Sequence, residues 1–214
     1  MITADLVYLT RGEEGTTEEH ITYIAKVSNP SLEAQKLPSP RLIKTCIREG
    51  HWSVFEHAHM TIEINCPMWL ATQILRHRSF KFQQFSARYS KVNPEMFLQE
   101  ARAPHPTNRQ KSEDTFSDEF KEQWEEVQVN AAHNALRAYD WAIENGIAKE
   151  CARNILPVGT MTRMYMTGDI RSWIHYIQLR TGNGTQQEHI DLANKIKEVF
   201  VENLPTISEA LEWK

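Results

Sequence analysis

A chain of 214 residues, 41% hydrophobic and 24% charged, has an ordinary globular make-up and is long enough for one sizeable core. Its 28 acidic residues outnumber its 24 basic ones, which argues against duplex DNA as the main partner. No apolar run approaches the roughly 20 residues that span a bilayer, no signal-peptide pattern opens the chain, and Cys46, Cys66 and Cys151 lack CxxC spacing. The expectation is a soluble cytoplasmic protein without a disulfide framework or a Cys-rich zinc site.

Residues 4–10 read as a short strand. Thr16 and Glu19 form a capping box, so a helix starts there, carries Ile21, Ile24 and Ala25 inward, and stops near Ser28-Asn29-Pro30. Pro38 and Pro40 punctuate a loop, and Arg41 to Glu49 reads as a helix ended by Gly50. From Val54 to Cys66 the pattern alternates. Ala58, Met60, Ile62 and Ile64 share one face, and His57, His59, Thr61, Glu63 and Asn65 the other, as in a half-buried strand. Such a strand sets His57 beside His59, and with His51 they suggest metal ligands; no carboxylate or Cys pattern completes the set, so no metal is expected.

Pro67 suits the first turn of a helix that turns Met68, Ala71 and Leu75 to the core and Gln73, Arg76 and His77 to a polar stripe. From Arg76 to Lys91 there are five Lys or Arg residues and no acid, a local positive potential that favours an anionic ligand. Arg76, Arg78 and Arg88 each carry a planar fork able to grip phosphate or carboxylate through two hydrogen bonds. Phe80, Phe82, Phe85 and Tyr89 either fold the stretch down or offer faces for stacking, and Ser86 to Val92 reads as a strand.

Ala101 to Ser112 reads as a loop, and Glu113 to Asn145 as a long amphipathic helix with Phe116, Phe120, Trp124, Val127, Ala131, Leu136 and Tyr139 near helical spacing. Gly146 ends it. A short helix carries Cys151 and Arg153 up to Pro157, and Met161 to Thr167 reads as a strand. The helix from Asp169 to Arg180 buries Ile170, Trp173, Ile174 and Ile177 and lines up Arg171, His175 and Gln178 on a separate face. Thr185 and Glu188 box the next helix, and a last helix ends near Trp213. Between Cys151 and Gln187, Arg153, Arg163, Arg171 and Arg180 stand against the single acid Asp169. Two basic regions therefore converge on one polyanionic site or serve two subunits.

Arg76-His77-Arg78, seven residues, then Ser86 and Arg88-Tyr89 resembles the signature of the flavin-dependent thymidylate synthases. The likeness runs from about His51 to Glu188. It takes in the segment from Gly50-His51 through Phe55-Glu56-His57, Gln73 three residues before the Arg-His-Arg, Ala152-Arg153-x-x-Leu156-Pro157, and Arg171-Ser172, His175 and Leu179-Arg180. It implies one α+β domain over residues 1–214, a central mostly antiparallel sheet flanked by helices including one long helix. It also implies a homotetramer with tightly bound FAD between subunits.

The activity it implies is reductive methylation of dUMP to dTMP without a cysteine nucleophile. Methylene-tetrahydrofolate gives the carbon, and NADPH reduces the flavin. By the same match Gln73, Ile74, Leu75, Arg76, Gln84, Phe85, Ser86, Ala87, Arg88 and Arg153 hold dUMP. Ser53, Arg76, His77, Arg78, Gln84, Asp169, Ile170, Arg171 and His175 line the FAD site, and Arg180 contacts and activates the uracil ring. Lys81, Gln84, Asp169 and Gly184 depart from the residues frequent there (Ser, Glu, Asn and His), and Asp169 reads equally well as a helix N-cap. The competing readings are a stacking groove for single-stranded RNA on Arg76 to Tyr89, a metal-dependent hydrolase on His51, His57 and His59, and a non-catalytic oligomeric scaffold.

Overall fold

A computed structural model describes residues 1–12, 15–92 and 95–213. Its centre is a four-stranded antiparallel sheet in the order β1 (Thr3–Leu9), β2 (His59–Pro67), β6 (Met161–Asp169), β3 (Lys81–Gln84). The alternation read from the sequence is what makes β2 central. Ala58, Met60, Ile62, Ile64 and Cys66 are fully buried, while Thr61, Glu63 and Asn65 look to the other face. β2 pairs with β6 along its whole length, from His59 opposite Asp169 to Pro67 opposite Met161.

Helices pack on the buried face. They are α1 (Thr17–Ala25), closed by the expected Thr16 capping box, α3 (Pro40–Arg48), α4 (Met68–Ile74), α7 (Ile170–Arg180), α8 (Gln187–Asn203) and α9 (Pro205–Ala210). On α7 the predicted stripe Ile170, Trp173, Ile174 and Ile177 is buried, and Trp173 Nε1 donates to the Met60 carbonyl at 3.0 Å. Phe80 packs edge-on to Trp173 with ring centres 4.7 Å apart. A Cβ on Gly168 would lie 2.5 Å from the Phe80 ring, so the bare glycine is what lets that ring sit over β6. This seats the basic loop on the core.

A smaller cluster of Val92, Tyr139, Ala142, Ala152 and Leu156 joins the end of α5 (Asp118–Glu144) to α6 (Lys149–Ala152) and the 3-10 turn Arg153–Ile155. Only Ala132, Tyr139 and Ala142 of the 27 residues of α5 are buried; Phe120, Trp124, Val127 and Trp141 remain exposed. Among the described residues no helix is long and apolar enough to cross a membrane.

Several expectations are corrected. The strand begins at His59, not Val54, because Trp52 and Phe55 pair (5.9 Å between rings) and wind Trp52–His57 into a 3-10 helix. His57 therefore does not stand beside His59 on a strand, and no group of three His, Cys, Asp or Glu able to hold a metal forms among the described residues. Pro67 is the N-cap of α4, which sets the helix phase so that Leu70, Ala71 and Ile74 are buried while Met68 and Leu75 are exposed.

Residues 86–92 form a turn and loop, not a strand; the strand of this stretch is β3, paired with β6. β4 (Ala103–Pro104) and β5 (Ser112–Glu113) make a small ladder where a plain loop was expected. The long helix starts at Asp118 because Ser117 accepts from the Phe120 N–H. Ser31 likewise caps an unforeseen α2 (Leu32–Lys36). The Thr185 box does not form: Gln186 is the N-cap of α8, with no side-chain bond to the helix start.

Candidate active site

Two clefts lie at opposite ends of β6, and many of the predicted residues divide between them. The first, about 560 Å³, is walled by Asp169, Arg171, Ser172, His175 and Gln178 at the start of α7, facing Trp52, Glu56 and Ser79. Asp169 closes β6 and caps α7 in one step, its Oδ1 accepting from Ser172 N at 2.7 Å. Arg171 is ion-paired with Glu56, both about half exposed. Ser53 sits exposed on the same 3-10 turn but outside this wall, and the Ile170 side chain is wholly buried, so only its backbone is available to a ligand. Arg76 and Arg78 are exposed beside it in sequence, around Ser79.

The second cleft, about 420 Å³, brings Gln84, Phe85, Ser86 and Ala87 against Arg153, Asn154 and Thr162. Gln84 Nε2 donates to Thr162 Oγ1 at 3.3 Å, and Phe85 N donates to the Arg163 carbonyl at 2.9 Å, so β6 sets the loop's depth. Both volumes fall in the range of small-molecule sites, roughly 300–1,000 Å³. Arg88 lies beyond this wall, 3.3 Å from Glu150, with both side chains 54% exposed. Phe80 belongs to the core and Phe82 is half-buried; Phe85 and Tyr89 stay exposed.

A third group surrounds Arg180. Its Nε donates to His77 Nε2 at 2.9 Å, which requires that nitrogen to carry no proton. Burial, then the charges of Arg180 and His175, hold His77 down to about 4, so it is a neutral acceptor at physiological pH. Tyr176 stacks edge-on to His77 at 4.8 Å and reaches His189 Nε2 at 3.0 Å; His189 Nδ1 lies 3.3 Å from Gln73 Oε1. Burial, then Arg180 and His77, hold His189 down to about 3. Gln73 is half-buried, Leu75 exposed and Ile74 buried in the core.

Sequence reasoning missed Trp52, Glu56 and Ser79 as cleft residues and the polar core of Tyr176, His189, Glu188 and Arg102. Glu188 and His189 were readable as neighbours in the first turn of a helix, whereas Arg102, in a loop, carries no local signal. Burial pushes the Glu188 carboxyl up, but hydrogen bonds from Gln99, its backbone and Arg102 outweigh this and hold it below the usual carboxylate range.

The family described as thymidylate synthase complementing protein matches residues 9–206. A protein named "Probable flavin-dependent thymidylate synthase" from Paramecium bursaria Chlorella virus 1 is 49% identical over 198 residues, 92% of each chain. A flavin-dependent thymidylate synthase from Synechocystis is 45% identical over 202 residues, 94% of this chain and 93% of its own. The crystal structure of the UMP/dUMP methylase PolB from Streptomyces cacaoi with 5-Br dUMP superposes with a TM-score of 0.84 at 25% identity, over 99% of this chain and 95% of the other.

Proposed function

This chain belongs to the thymidylate synthase complementing protein family, the flavin-dependent thymidylate synthases, and from that premise we propose that it methylates dUMP to dTMP, with methylene-tetrahydrofolate as carbon donor and NADPH as reductant. The observation that carries the reading is the second cleft, where the Gln84–Ala87 loop and Arg153, far apart in the chain, face one another. A nucleotide phosphate is a near-dianion and takes charge-assisted donors. Arg153 and the Ser86 hydroxyl supply them, and Arg88 adds a second guanidinium once it leaves Glu150.

The first cleft suits the flavin dinucleotide in its donor set. Arg171 and His175, with Arg76 and Arg78 just before Ser79 in the chain, would hold the pyrophosphate, and Trp52 offers a flat apolar wall. FAD when bound supplies the reducing equivalents of the reaction. Asp169 is engaged as the α7 cap, so its charge there is already met by a backbone N–H. Ser53, His77, Gln84 and Ile170 lie outside that wall and are proposed to reach the flavin from there, Gln84 from the second cleft and Ile170 through its backbone.

Arg180 is the proposed catalytic residue. Its guanidinium stays a cation at any working pH, so it stabilises the uracil ring as the N3 proton leaves and negative charge develops, which raises electron density at carbon-5. Gln73, Leu75 and Arg76 are proposed to border the base, with Gln73 the side chain that hydrogen-bonds, and the core residue Ile74 takes part through its backbone only. Neither buried thiol is poised for attack: burial pushes Cys66 up to about 12 and also raises Cys46. The exposed apolar row on α5 supports assembly as a homotetramer. A stacking groove for RNA is disfavoured, because Phe80 is consumed by the core.

The test is direct. The purified protein should be yellow or take up FAD, and should release hydrogen from carbon-5 of dUMP only when NADPH and methylene-tetrahydrofolate are both present. A colourless protein that ignores FAD and dUMP overturns the reading.

A further inference from the structure

The Gln73 amide lies inside a hydrogen-bond chain whose direction is set at one end. Arg102 and Gln99 Nε2 (2.6 Å) both donate to Oε1 of Glu188. Its Oε2 accepts from Gln186 Nε2 at 2.8 Å, and Gln186 Oε1 accepts from Gln73 Nε2 at 2.9 Å. A carboxylate only accepts and a guanidinium only donates, so each amide along the way has one orientation. The Gln73 oxygen then faces His189 Nδ1 at 3.3 Å and obliges that nitrogen to carry the ring proton. His189 Nε2 is left to accept from the Tyr176 hydroxyl at 3.0 Å. The anchor is out of water, with the Arg102 and Glu188 side chains 13% and 6% exposed; His189 and Tyr176 are fully buried. Gln73 itself is half-buried, and after these bonds it keeps one N–H and one lone pair for a ligand.

Uracil presents an N3–H donor beside a carbonyl acceptor, and cytosine presents an acceptor nitrogen beside an amino donor. An amide free to flip serves both, and one held in a single orientation serves one. We infer that Glu188 and Arg102, through Gln186, hold the Gln73 amide in the orientation that takes the imide edge of uracil and refuses the amino edge of cytosine, with His189 and Tyr176 as positioning residues that close the chain. This rests on Gln73 belonging to the nucleotide site.

Long-range 15N–1H correlation spectra of the folded protein read the His189 tautomer directly, without any substitution, and the wild type should carry the proton on Nδ1. In Glu188→Gln, Arg102 and Gln99 keep the oxygen of the new amide, so its NH2 meets the NH2 of Gln186. Gln186 and Gln73 then turn over in sequence, and the His189 proton moves to Nε2. Combining Glu188→Gln with Gln186→Glu sets an acceptor between two donors and returns the chain to its first direction. The single variant should bind dUMP about tenfold more weakly, with dCMP binding not weakened, and the double variant should recover.

A wild-type proton on Nε2, or no switch in Glu188→Gln, overturns the chain. A switch with dUMP affinity unchanged overturns the role in base selection and takes Gln73 out of the site. A wild-type protein with the Nδ1 tautomer that binds no dUMP fails the functional reading instead, so the two failures are told apart.

Discussion

Arg180 gives its Nε hydrogen to Nε2 of His77 across 2.9 Å, and among the described residues this is the only hydrogen bond of that guanidinium. Both terminal nitrogens are thus left for a ligand, while a neutral imidazole holds the side chain without neutralising its charge.

Arg180→Ala should therefore leave fold and flavin content intact and lower turnover roughly 10²–10³-fold, the scale of losing one donor at a developing negative charge. Hydrogen release from carbon-5 of dUMP measures it, with flavin absorbance as the control. Wild-type rates would remove the assigned role.

Arg153 faces the cleft with no ion pair among the described residues, whereas Arg88 starts paired with Glu150 at the surface. Arg153→Ala should weaken dUMP binding about 10–100-fold, as loss of a charge-assisted hydrogen bond does, and Arg88→Ala should also weaken it. Glu150→Gln should strengthen binding, by less than about fivefold because an exposed pair contributes so little. Calorimetric titration with dUMP checks all three.

Stability should decline on the acid side for a reason found at His189. Its folded-state pKa, held down to about 3, lies below the ordinary 6.5, so the unfolded chain binds the proton first as pH falls. The contribution is whole above about pH 6.5 and is lost progressively toward pH 3. By pH 5 it amounts to a loss of about 2 kcal/mol. His77, held down to about 4, adds a loss in the same direction, so urea unfolding at pH 7 and pH 5 should show a drop that His189→Asn reduces without abolishing.

The outer side of α5 exposes Val127 at 58% and Trp141 at 60%. If subunits meet there, Val127→Glu should lower the sedimenting mass and reduce flavin retention together. A tetramer unchanged by this substitution would exclude α5 from the contact.

What was legible in the chain was what repeats locally. The alternation of β2, the stripe of α7 and the Thr16 box each act within a few residues, and the structure has all three. The start of β2 was not legible, because Trp52 finds Phe55 and overrides an apparently continuous alternation. Neither was β3, whose partner β6 lies far along the chain. For the site, the grouping of Phe85–Ala87 with Arg153, and of Asp169 and Arg171 with His175, came from likeness to a family that gave Gln84 to both sets, while the walls that complete each cleft came only from folding. Glu188 illustrates the limit: as part of a Thr185 box it was read as a cap, but its carboxylate is taken by Arg102 from a distant loop.

Strand β6 passes into helix α7 with no residue between them, since Asp169 is the last of one and the cap of the other. The strand therefore acts as the clock for the helix. Inserting one residue in β6 would send each following strand side chain to the opposite face and turn the helix behind it by about 100°, carrying Arg171 and His175 away from their wall. Length variation is barred there, while the small ladder near Pro104 and Ser112 stands free to absorb it.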